Sequence, residues 1–206
     1  MEAVSKKEVL ILDYGTGNIQ SLTFAFEKRG YTTILSNDFD RIKAAERIIF
    51  PGVGAAGIAM KRLKETGLDR LIPQLTQPVL GICLGMQLMC KSSEEGNTKG
   101  LGIFDVEVLK FDSGLKVPCV GWNKLSGLET SLFEGVKQQD YVYLIHSFYA
   151  PLCEQTIAET SYGLAYSAGL NKDNFFGLQF HPEKSGVVGE QILDNFLKIP
   201  SKNSTT

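Results

Sequence analysis

The sequence of 206 residues has no long apolar run and almost no excess of charge of either sign. The first apolar run, at residues 9–12, is too short for a secretion signal or a membrane span. Lysine and arginine total 21 against 23 aspartates and glutamates, which leaves a net charge of −2. We therefore expect no nucleic-acid partner and no binding to a membrane surface.

Cysteine and histidine are also scarce, and their spacing does not match a metal site. The two histidines are far apart, and none of the four cysteines belongs to a CxxC pair. We therefore expect neither a metal nor another cofactor. Reduced cysteines are typical of the cytoplasm, which is the expected location. We expect Cys90 to fill the core from the helix after Cys83, whereas Cys119 and Cys153 have no chemical role that the pattern indicates.

Apolar runs alternate with helical patterns through the first half of the chain, which is typical of a parallel sheet covered by helices on both faces. Residues 103–111 and 141–149 are β-rich, and we expect them to add antiparallel strands to this sheet. The sequence predicts an α/β fold, a flavodoxin-like three-layer parallel sheet with added antiparallel strands. The length fits a single domain over 1–206, with an ordered core at 8–200 and a flexible tail at 201–206.

Cys83 lies between two glycines in the stretch Gly81-Ile82-Cys83-Leu84-Gly85, after an apolar run and before a helix-compatible segment. This order is typical of a nucleophile elbow with cysteine in place of serine. A side chain at either glycine would crowd the sharp turn. The amino terminus of the following helix favours a thiolate and can hold an oxyanion. A lone cysteine in this context is otherwise more often a buried structural residue.

A second motif, Phe180-His181-Pro182-Glu183, argues against the alternative that Cys83 is only a buried structural residue. Pro182 favours an extended conformation at His181, in which residues i and i+2 lie on the same side. Glu183 can then hold one imidazole nitrogen, while the other takes a proton from Cys83 and returns it to a leaving amine. A surface His-Pro turn with a solvated glutamate is the alternative. We predict a triad of Cys83, His181 and Glu183, and we expect His146 to bond locally to the backbone rather than act as the base.

The stretches GICLGMQLM and QFHPEKS resemble the class I, or triad, glutamine amidotransferases. Four more stretches resemble, within that family, the glutaminase subunits of imidazole glycerol phosphate synthases: DYGTGNI at 13–19, PGVG at 51–54, GWN at 121–123 and YLIHSFYA at 143–150. The similarity extends over nearly the whole chain. It implies hydrolysis of L-glutamine to glutamate and ammonia through a γ-glutamyl thioester on Cys83.

The resemblance also assigns substrate contacts. It implies that 51–54 is an oxyanion strand, in which a backbone N–H beside Val53 completes an oxyanion hole with the N–H of Leu84. Gln87 is expected to bind glutamine with its side chain. Backbone groups of Gly52, Ser147 and Phe148 are the other expected glutamine contacts. Without the resemblance, an ordinary glycine-rich turn at 51–54 and a surface glutamine at 87 remain open.

A partner is implied as well, in the form of a (β/α)8-barrel cyclase that forms a heterodimer with this chain. That cyclase would use the ammonia to convert PRFAR into imidazole glycerol phosphate and AICAR, in histidine biosynthesis. The expected interface residues are Asn18, Trp122, Asn123, Tyr143 and Lys184. Loop 15–18 lacks the third glycine of a dinucleotide fingerprint, so we read it as a tight turn with Asn18 as a helix N-cap.

Two departures from the family pattern fall outside the triad. Cys119-Val120 replaces the usual His-Met before GWN, and Ala55-Ala56 replaces a bulkier or polar residue after PGVG. These departures leave glutamine hydrolysis intact but leave open a paralogous subunit that feeds ammonia to a different synthase. Two rival classes are a stand-alone cysteine γ-glutamyl hydrolase, against which the GWN and PGVG matches argue, and a catalytically idle interaction module, against which the intact triad argues.

Overall fold

The computed structural model describes residues 7–201 and residue 203. Of the expected flexible tail, only Ser201 and Asn203 are therefore described. The strands are β1 (Glu8–Leu12), β2 (Thr32–Ser36), β3 (Ile48–Phe50), β4 (Val79–Ile82), β5 (Cys90–Ser93), β6 (Thr98–Lys99), β7 (Phe104–Lys110), β8 (Cys119–Lys124), β9 (Tyr141–His146), β10 (Phe148–Tyr149), β11 (Thr156–Tyr162), β12 (Leu164–Lys172) and β13 (Phe175–Leu178). The α-helices are α1 (Ile19–Glu27), α2 (Phe39–Ala44), α3 (Ala56–Thr66), α4 (Leu68–Leu71), α5 (Leu84–Met89) and α6 (Gly186–Lys198).

A seven-stranded sheet with the order β11-β12-β13-β4-β3-β1-β2 forms the centre of the fold. The strands from β13 to β2 are parallel, whereas β12 and β11 are antiparallel additions. Strands β3, β4 and β13 are buried along their whole length, as expected for parallel strands covered on both faces. Because β4 and β13 run in the same direction, the residues that follow them meet at one edge of the sheet.

Side chains that alternate along β1 enter two different cores, one on each face of the sheet. Val9 and Ile11 pack with Leu22 and Phe26 of α1 and with Phe196 of α6. Leu10 and Leu12 instead share a core with helices α2 to α5. The predicted three-layer α/β arrangement is therefore confirmed.

The predicted position of the antiparallel segments is wrong. Residues 103–111 and 141–149 do not join the central sheet but form two smaller sheets, β10-β7-β5-β6 and β8-β9. The antiparallel strands added to the central sheet are β11 and β12. Alternation identifies a strand with one buried face, but the pairing depends on contacts between residues far apart in the chain.

Two local predictions also need correction. Helix α5 ends at Met89, so Cys90 begins strand β5 and fills the core from there, fully buried. Asn18 precedes α1 at the N-cap position, but its side chain makes no capping hydrogen bond. Gly67, with a φ of 76°, separates α3 from α4.

Within the described part of the chain, none of the helices combines the length and the apolar character needed to cross a membrane. A group of three or more histidine, cysteine, aspartate or glutamate side chains suited to a metal ion is likewise absent from these residues.

Candidate active site

Cys83 occupies the tip of a strained turn between β4 and α5. Its backbone has φ 54° and ψ −110°, in a region that residues with a side chain rarely adopt. Such a conformation costs on the order of 1–3 kcal/mol and persists only where the surroundings enforce it. The N–H of Cys83 donates to the carbonyl of Leu178 at 2.7 Å, which ties the turn to the end of β13.

The two glycines beside Cys83 are required by close packing, as the sequence predicts. A Cβ on Gly85 would collide with the carbonyl oxygen of Phe50, and one on Gly81 would collide with the side chain of Met89. Gly52 is equally restricted, because a Cβ there would lie 2.5 Å from the backbone nitrogen of Gly85. The 51–54 segment therefore lies directly against the start of α5.

His181 and Glu183 form a buried pair beside the elbow. His181 is extended, with φ −98° and ψ 96°, as expected from the proline after it. Its Nδ1 lies 2.8 Å from Glu183 Oε1, and the two side chains are 4% and 1% exposed. Burial disfavours the imidazolium, but interactions with Cys83 and Glu183 outweigh burial and raise the pKa of His181 to about 10. The site therefore holds a charged imidazolium next to the cysteine at neutral pH.

Cys83 and His181 open into one cavity of about 360 Å³, at the carboxyl edge of the central sheet. Its lining residues are Val53, Gly54, Cys83, Leu84, Gln87, Glu95, Pro118, Ile145, His146, Ser147, Phe148, His181 and Lys184. All the expected oxyanion and glutamine contacts are in this set except Gly52, which packs under it. Glu95, the only acidic residue in the lining, was missed, because nothing in its local sequence distinguishes it from a surface glutamate. A larger cavity of about 480 Å³, beside Glu8 and Leu10, contains neither a cysteine nor a histidine.

The N–H of Val53 does not point into this cavity. It donates to the hydroxyl oxygen of Thr16 at 3.4 Å, and that hydroxyl donates back to the carbonyl of Val53 at 2.5 Å. We call this pair of hydrogen bonds the Thr16–Val53 clamp. Leu84, by contrast, is the first residue of α5, so its N–H has no acceptor within the helix. One of the two expected oxyanion donors is therefore free, and the other is turned away.

The two ends of the 51–54 segment are held differently. The hydroxyl of Tyr14 donates to the carbonyl of Pro51, and burial raises the pKa of this tyrosine, so it remains a donor. Gly54 has a φ of 93°, which favours glycine, and Val53 is 43% exposed. The segment is anchored at Pro51, whereas the Gly52–Val53 peptide, which carries the N–H of Val53, is adjustable.

Gln87 is a buried residue, so the alternative of a surface glutamine is wrong. Its side-chain Nε2 donates to the carbonyl of Phe148 and to Oε1 of Gln179, each at 2.9 Å. Gln179 is fully buried, and its own Nε2 lies 3.8 Å from the sulfur of Cys83. Gln179 was missed from the sequence, although a polar residue inside the apolar run 175–180 is a usable signal.

His146 is not placed to act as a base. Its Nδ1–H donates to the carbonyl of Phe148 at 2.7 Å, and its Nε2 accepts from the hydroxyl of Tyr166 at 3.0 Å. Burial lowers the pKa of His146 to about 4, so the ring is neutral. The local backbone bond expected from the sequence is present.

The expected interface residues fall on different surfaces. The outward face of the β8–β9 pair, which we call the outer ladder, consists of Val120 opposite Ile145, Trp122 opposite Tyr143, and Lys124 opposite Tyr141. Trp122 is 53% exposed and meets the Tyr143 ring edge-on at 5.9 Å. Lys184 is exposed at the cavity mouth, and Asn18 is half-buried before α1. Asn123 lies on the opposite face of β8 from Trp122, where its side chain donates to the carbonyl of Ser161 at 2.9 Å.

The sequence model of the family described as Glutamine amidotransferase class-I matches residues 10–199. The chain belongs to the class I glutamine amidotransferases. It is 50% identical over 195 residues to "Imidazole glycerol phosphate synthase subunit HisH" of Bacteroides fragilis (strain YCH46), with 93% of this chain and 100% of the relative covered. It is 46% identical over 195 residues to the protein of the same name from Yersinia pseudotuberculosis, with the same coverage.

Solved structures of more distant proteins share the fold of this class I amidotransferase. A putative GMP synthase protein from Thermoplasma acidophilum has a TM-score of 0.73 at 19% identity, with 95% of this chain and 94% of that chain covered. The structure of PurLQS from Thermotoga maritima gives a TM-score of 0.71 at 18% identity, with 93% and 98% covered. At these identities the likeness extends to the fold alone.

Proposed function

We propose that this chain is the glutaminase subunit of an imidazole glycerol phosphate synthase, which hydrolyses L-glutamine and passes the ammonia to a cyclase. The observation that carries the proposal is the strained Cys83 elbow in one cavity with the His181–Glu183 pair. The identity of 46% to 50% with subunits named HisH supports this pathway over a paralogous synthase. All four cysteines are free thiols, in keeping with a cytoplasmic enzyme of histidine biosynthesis.

The chemistry follows from the positions of the triad. The Cys83 sulfur attacks the side-chain amide carbon of glutamine, and a C–S bond forms as the carbonyl oxygen becomes an oxyanion near the N–H of Leu84. Imidazolium His181 then gives its proton to the amide nitrogen, the C–N bond breaks, and ammonia leaves. In the second half, His181 takes a proton from water, and the resulting hydroxide attacks the thioester carbon to release glutamate. Glu183 holds Nδ1–H of His181 throughout, so that Nε2 is the nitrogen that exchanges protons.

The remaining lining residues are suited to a free amino acid. Glu95 is the only acid in the cavity lining, and one of its carboxylate oxygens accepts the N–H of Ala56 at 2.8 Å. We propose that the Glu95 carboxylate binds the α-ammonium group of glutamine. Backbone groups of Ser147 and Phe148 lie across the cavity and complete the recognition of the substrate, together with the side chain of Gln87.

The outer ladder is the proposed docking surface for a (β/α)8-barrel cyclase. Exposed tryptophan and tyrosine side chains are typical of interface centres, and Ile145 brings this face to the mouth of the cavity. A partner seated there receives ammonia without its release to water. Trp122, Tyr143, Lys184 and Asn18 are the proposed contacts, and Asn123 supports them by tying β8 to Ser161. The product of the partner is imidazole glycerol phosphate, with AICAR, made from PRFAR.

Regulation is proposed to act on the Thr16–Val53 clamp. While the clamp is closed, only the N–H of Leu84 is available to the oxyanion, so the free chain hydrolyses glutamine slowly. Binding of the cyclase and its ribulosyl ligand opens the clamp and turns the N–H of Val53, in the Gly52–Val53 peptide, toward the cavity. Loss of one oxyanion donor lowers kcat by about 10²- to 10³-fold, so a large activation is available.

The test is glutamate release from glutamine by the chain alone, and by the chain with a histidine-pathway cyclase and PRFAR, with Cys83→Ala as the control. Strong activation that is absent in the variant supports the proposal. Activity without activation, extending to larger γ-glutamyl amides, would instead identify a stand-alone hydrolase. Activation by a different synthase only would identify a paralogous subunit. No labelling of Cys83 by a glutamine-like electrophile would indicate an idle interaction module.

A further inference from the structure

Gln179 connects the nucleophile with the substrate-binding side chain, although it does not line the cavity. It follows β13 and is fully buried, with its backbone N–H bonded to the carbonyl of Ala168 at 2.9 Å. Its Oε1 accepts from Nε2 of Gln87 at 2.9 Å, and its Nε2 lies 3.8 Å from the sulfur of Cys83. One buried carboxamide therefore contacts two residues of the site.

The direction of these hydrogen bonds is set at the carbonyl of Phe148, which can only accept. Gln87 must therefore present its NH₂ group to Phe148, and the second hydrogen of that group is directed at Oε1 of Gln179. If Gln179 were turned over, its NH₂ group would face the NH₂ group of Gln87. Gln179 therefore presents its own NH₂ group to the sulfur of Cys83.

We propose that Gln179 is a positioning residue that holds the Cys83 sulfur as a hydrogen-bond acceptor and fixes the orientation of the Gln87 amide. A thiolate accepts the N–H of Gln179, whereas a thiol directs its proton to the carbonyl of Ile145, also 3.8 Å away. The amide therefore favours the reactive thiolate without adding a charge to the site.

A consequence for specificity rests on the proposed glutaminase function. Both hydrogens of the Gln87 amide are engaged, so only its oxygen is left for the substrate. Gln87 can therefore accept from an N–H group, such as the carboxamide or the α-ammonium of glutamine, but it cannot donate to the carboxylate. The proposed contact between Gln87 and glutamine is thereby narrowed to the N–H groups of the substrate.

The test compares Gln179→Met with Gln77→Met in the full chain. Gln77 is a matched control, because it is also buried and donates through Nε2, to the carbonyl of Ile42 at 2.7 Å, but its side chain makes no described hydrogen bond to a residue that lines the cavity. The readout is the rate of iodoacetamide addition to Cys83 across pH, followed on the Cys83 peptide by mass spectrometry. For Gln179→Met we expect the half-maximal rate at higher pH and a rate at pH 7 lower by about three- to tenfold. Gln77→Met should match the wild type.

A second readout, the steady-state kinetics of glutamine hydrolysis, separates a loss of Gln87 orientation from a general loss of packing around the site. With the cyclase complex, Gln179→Met should raise KM for glutamine as well as lower kcat, and Gln179→Glu should be worse, because its carboxylate repels a thiolate. An unchanged alkylation profile in folded Gln179→Met, or equal shifts in both methionine variants, would overturn the proposal.

The wild-type chain offers a test if the variants do not fold. The side-chain amide protons of Gln179 should shift in NMR spectra when Cys83 is alkylated, while those of Gln77 stay in place. A Gln179 signal that does not move would also refute the proposal. Alkylation and NMR need no glutamine turnover, so these results stand even if the proposed glutaminase function fails.

Discussion

The Cys83 elbow and the 51–54 segment line the same cavity, but the fold holds them in different ways. Cys83 is fixed by its tie to Leu178, by close packing around Gly81 and Gly85, and by the buried His181–Glu183 pair. Val53 is exposed, and its N–H and its carbonyl are both bonded to a single hydroxyl from another loop. The proposed nucleophile is thus fixed within the chain, whereas the proposed second oxyanion donor, the N–H of Val53, is turned away from the cavity.

This difference indicates where regulation can act at low cost. Moving the elbow would disturb the core between β4, β13 and α5, because glycine contacts there leave no free space. Opening the Thr16–Val53 clamp replaces two surface hydrogen bonds by hydrogen bonds to water. Each of the two contributes about 0.5–1.5 kcal/mol to the stability of the closed clamp. A partner that contacts the cavity rim can therefore displace the second region at a lower cost than the first.

Replacing Glu183 by glutamine should have the largest effect, because it removes the carboxylate that pairs with His181 beside Cys83. The amide no longer stabilises the imidazolium, and it permits the wrong tautomer of His181. We expect glutaminase kcat in the cyclase complex to fall by about 10²- to 10⁴-fold. Alkylation of Cys83 in the lone chain should slow as well. Normal kcat in this variant would contradict the role of the pair.

Trp122→Ala should weaken binding of the proposed cyclase partner and leave the reactivity of Cys83 intact. A half-exposed tryptophan at an interface centre contributes enough that affinity should fall by about tenfold or more. Titration of the cyclase by fluorescence or calorimetry gives the affinity, with Trp122→Phe retaining most of it. Alkylation of Cys83 in the free variant should equal that of the wild type. Unchanged affinity would remove the outer ladder from the interface.

Thr16→Val keeps the shape of the side chain but removes the hydroxyl of the clamp. The freed Gly52–Val53 peptide, which carries the N–H of Val53, can then sample the orientation that completes the oxyanion hole. We expect glutamine hydrolysis by the lone chain to rise by about three- to tenfold, measured as glutamate release. Thr16→Ser retains the hydroxyl and should behave as the wild type. If the rate of glutamine hydrolysis is unchanged or lower in Thr16→Val, the clamp is not what restrains the N–H of Val53.

The smallest effect concerns stability and pH. The pKa of His181 is raised from 6.5 to about 10, so the proton is bound more tightly in the folded state than in the unfolded state. The resulting stabilisation is complete below pH 6.5 and is lost as the pH rises toward 10, and it amounts to a few kcal/mol at most, on the order expected for a pKa shift of this kind. Urea unfolding at pH 6, 8 and 10 should show that the free energy of unfolding falls more steeply with pH for the wild type than for His181→Asn. Parallel curves would contradict the charged imidazolium.

The central sheet, and the proximity of Cys83, His181 and Glu183, could be predicted from sequence because their signals are local. Two glycines around Cys83, and a proline between His181 and Glu183, restrict the backbone where the chemistry needs it. The sheet that contains β8 and β9 could not be assigned, since alternation does not specify a pairing partner. The Thr16–Val53 clamp joins residues 37 positions apart, and Gln179 is 96 positions from Cys83. Contacts of this kind depend on how the strands come together, not on any local pattern.

The most direct test measures two rates on the same samples, with and without the cyclase and its ribulosyl ligand. Iodoacetamide addition to Cys83 reports the nucleophile, and glutamate release reports the complete site. Iodoacetamide is smaller than glutamine, so a complex that admits the substrate also admits the probe. We expect the alkylation rate to change by less than about twofold while hydrolysis rises by at least about 10²-fold, as gain of one oxyanion donor requires. We infer that Cys83 is in position in the lone chain and that the N–H of Val53 is not. Alkylation that rises in step with hydrolysis, or full hydrolysis by the lone chain, would contradict this inference.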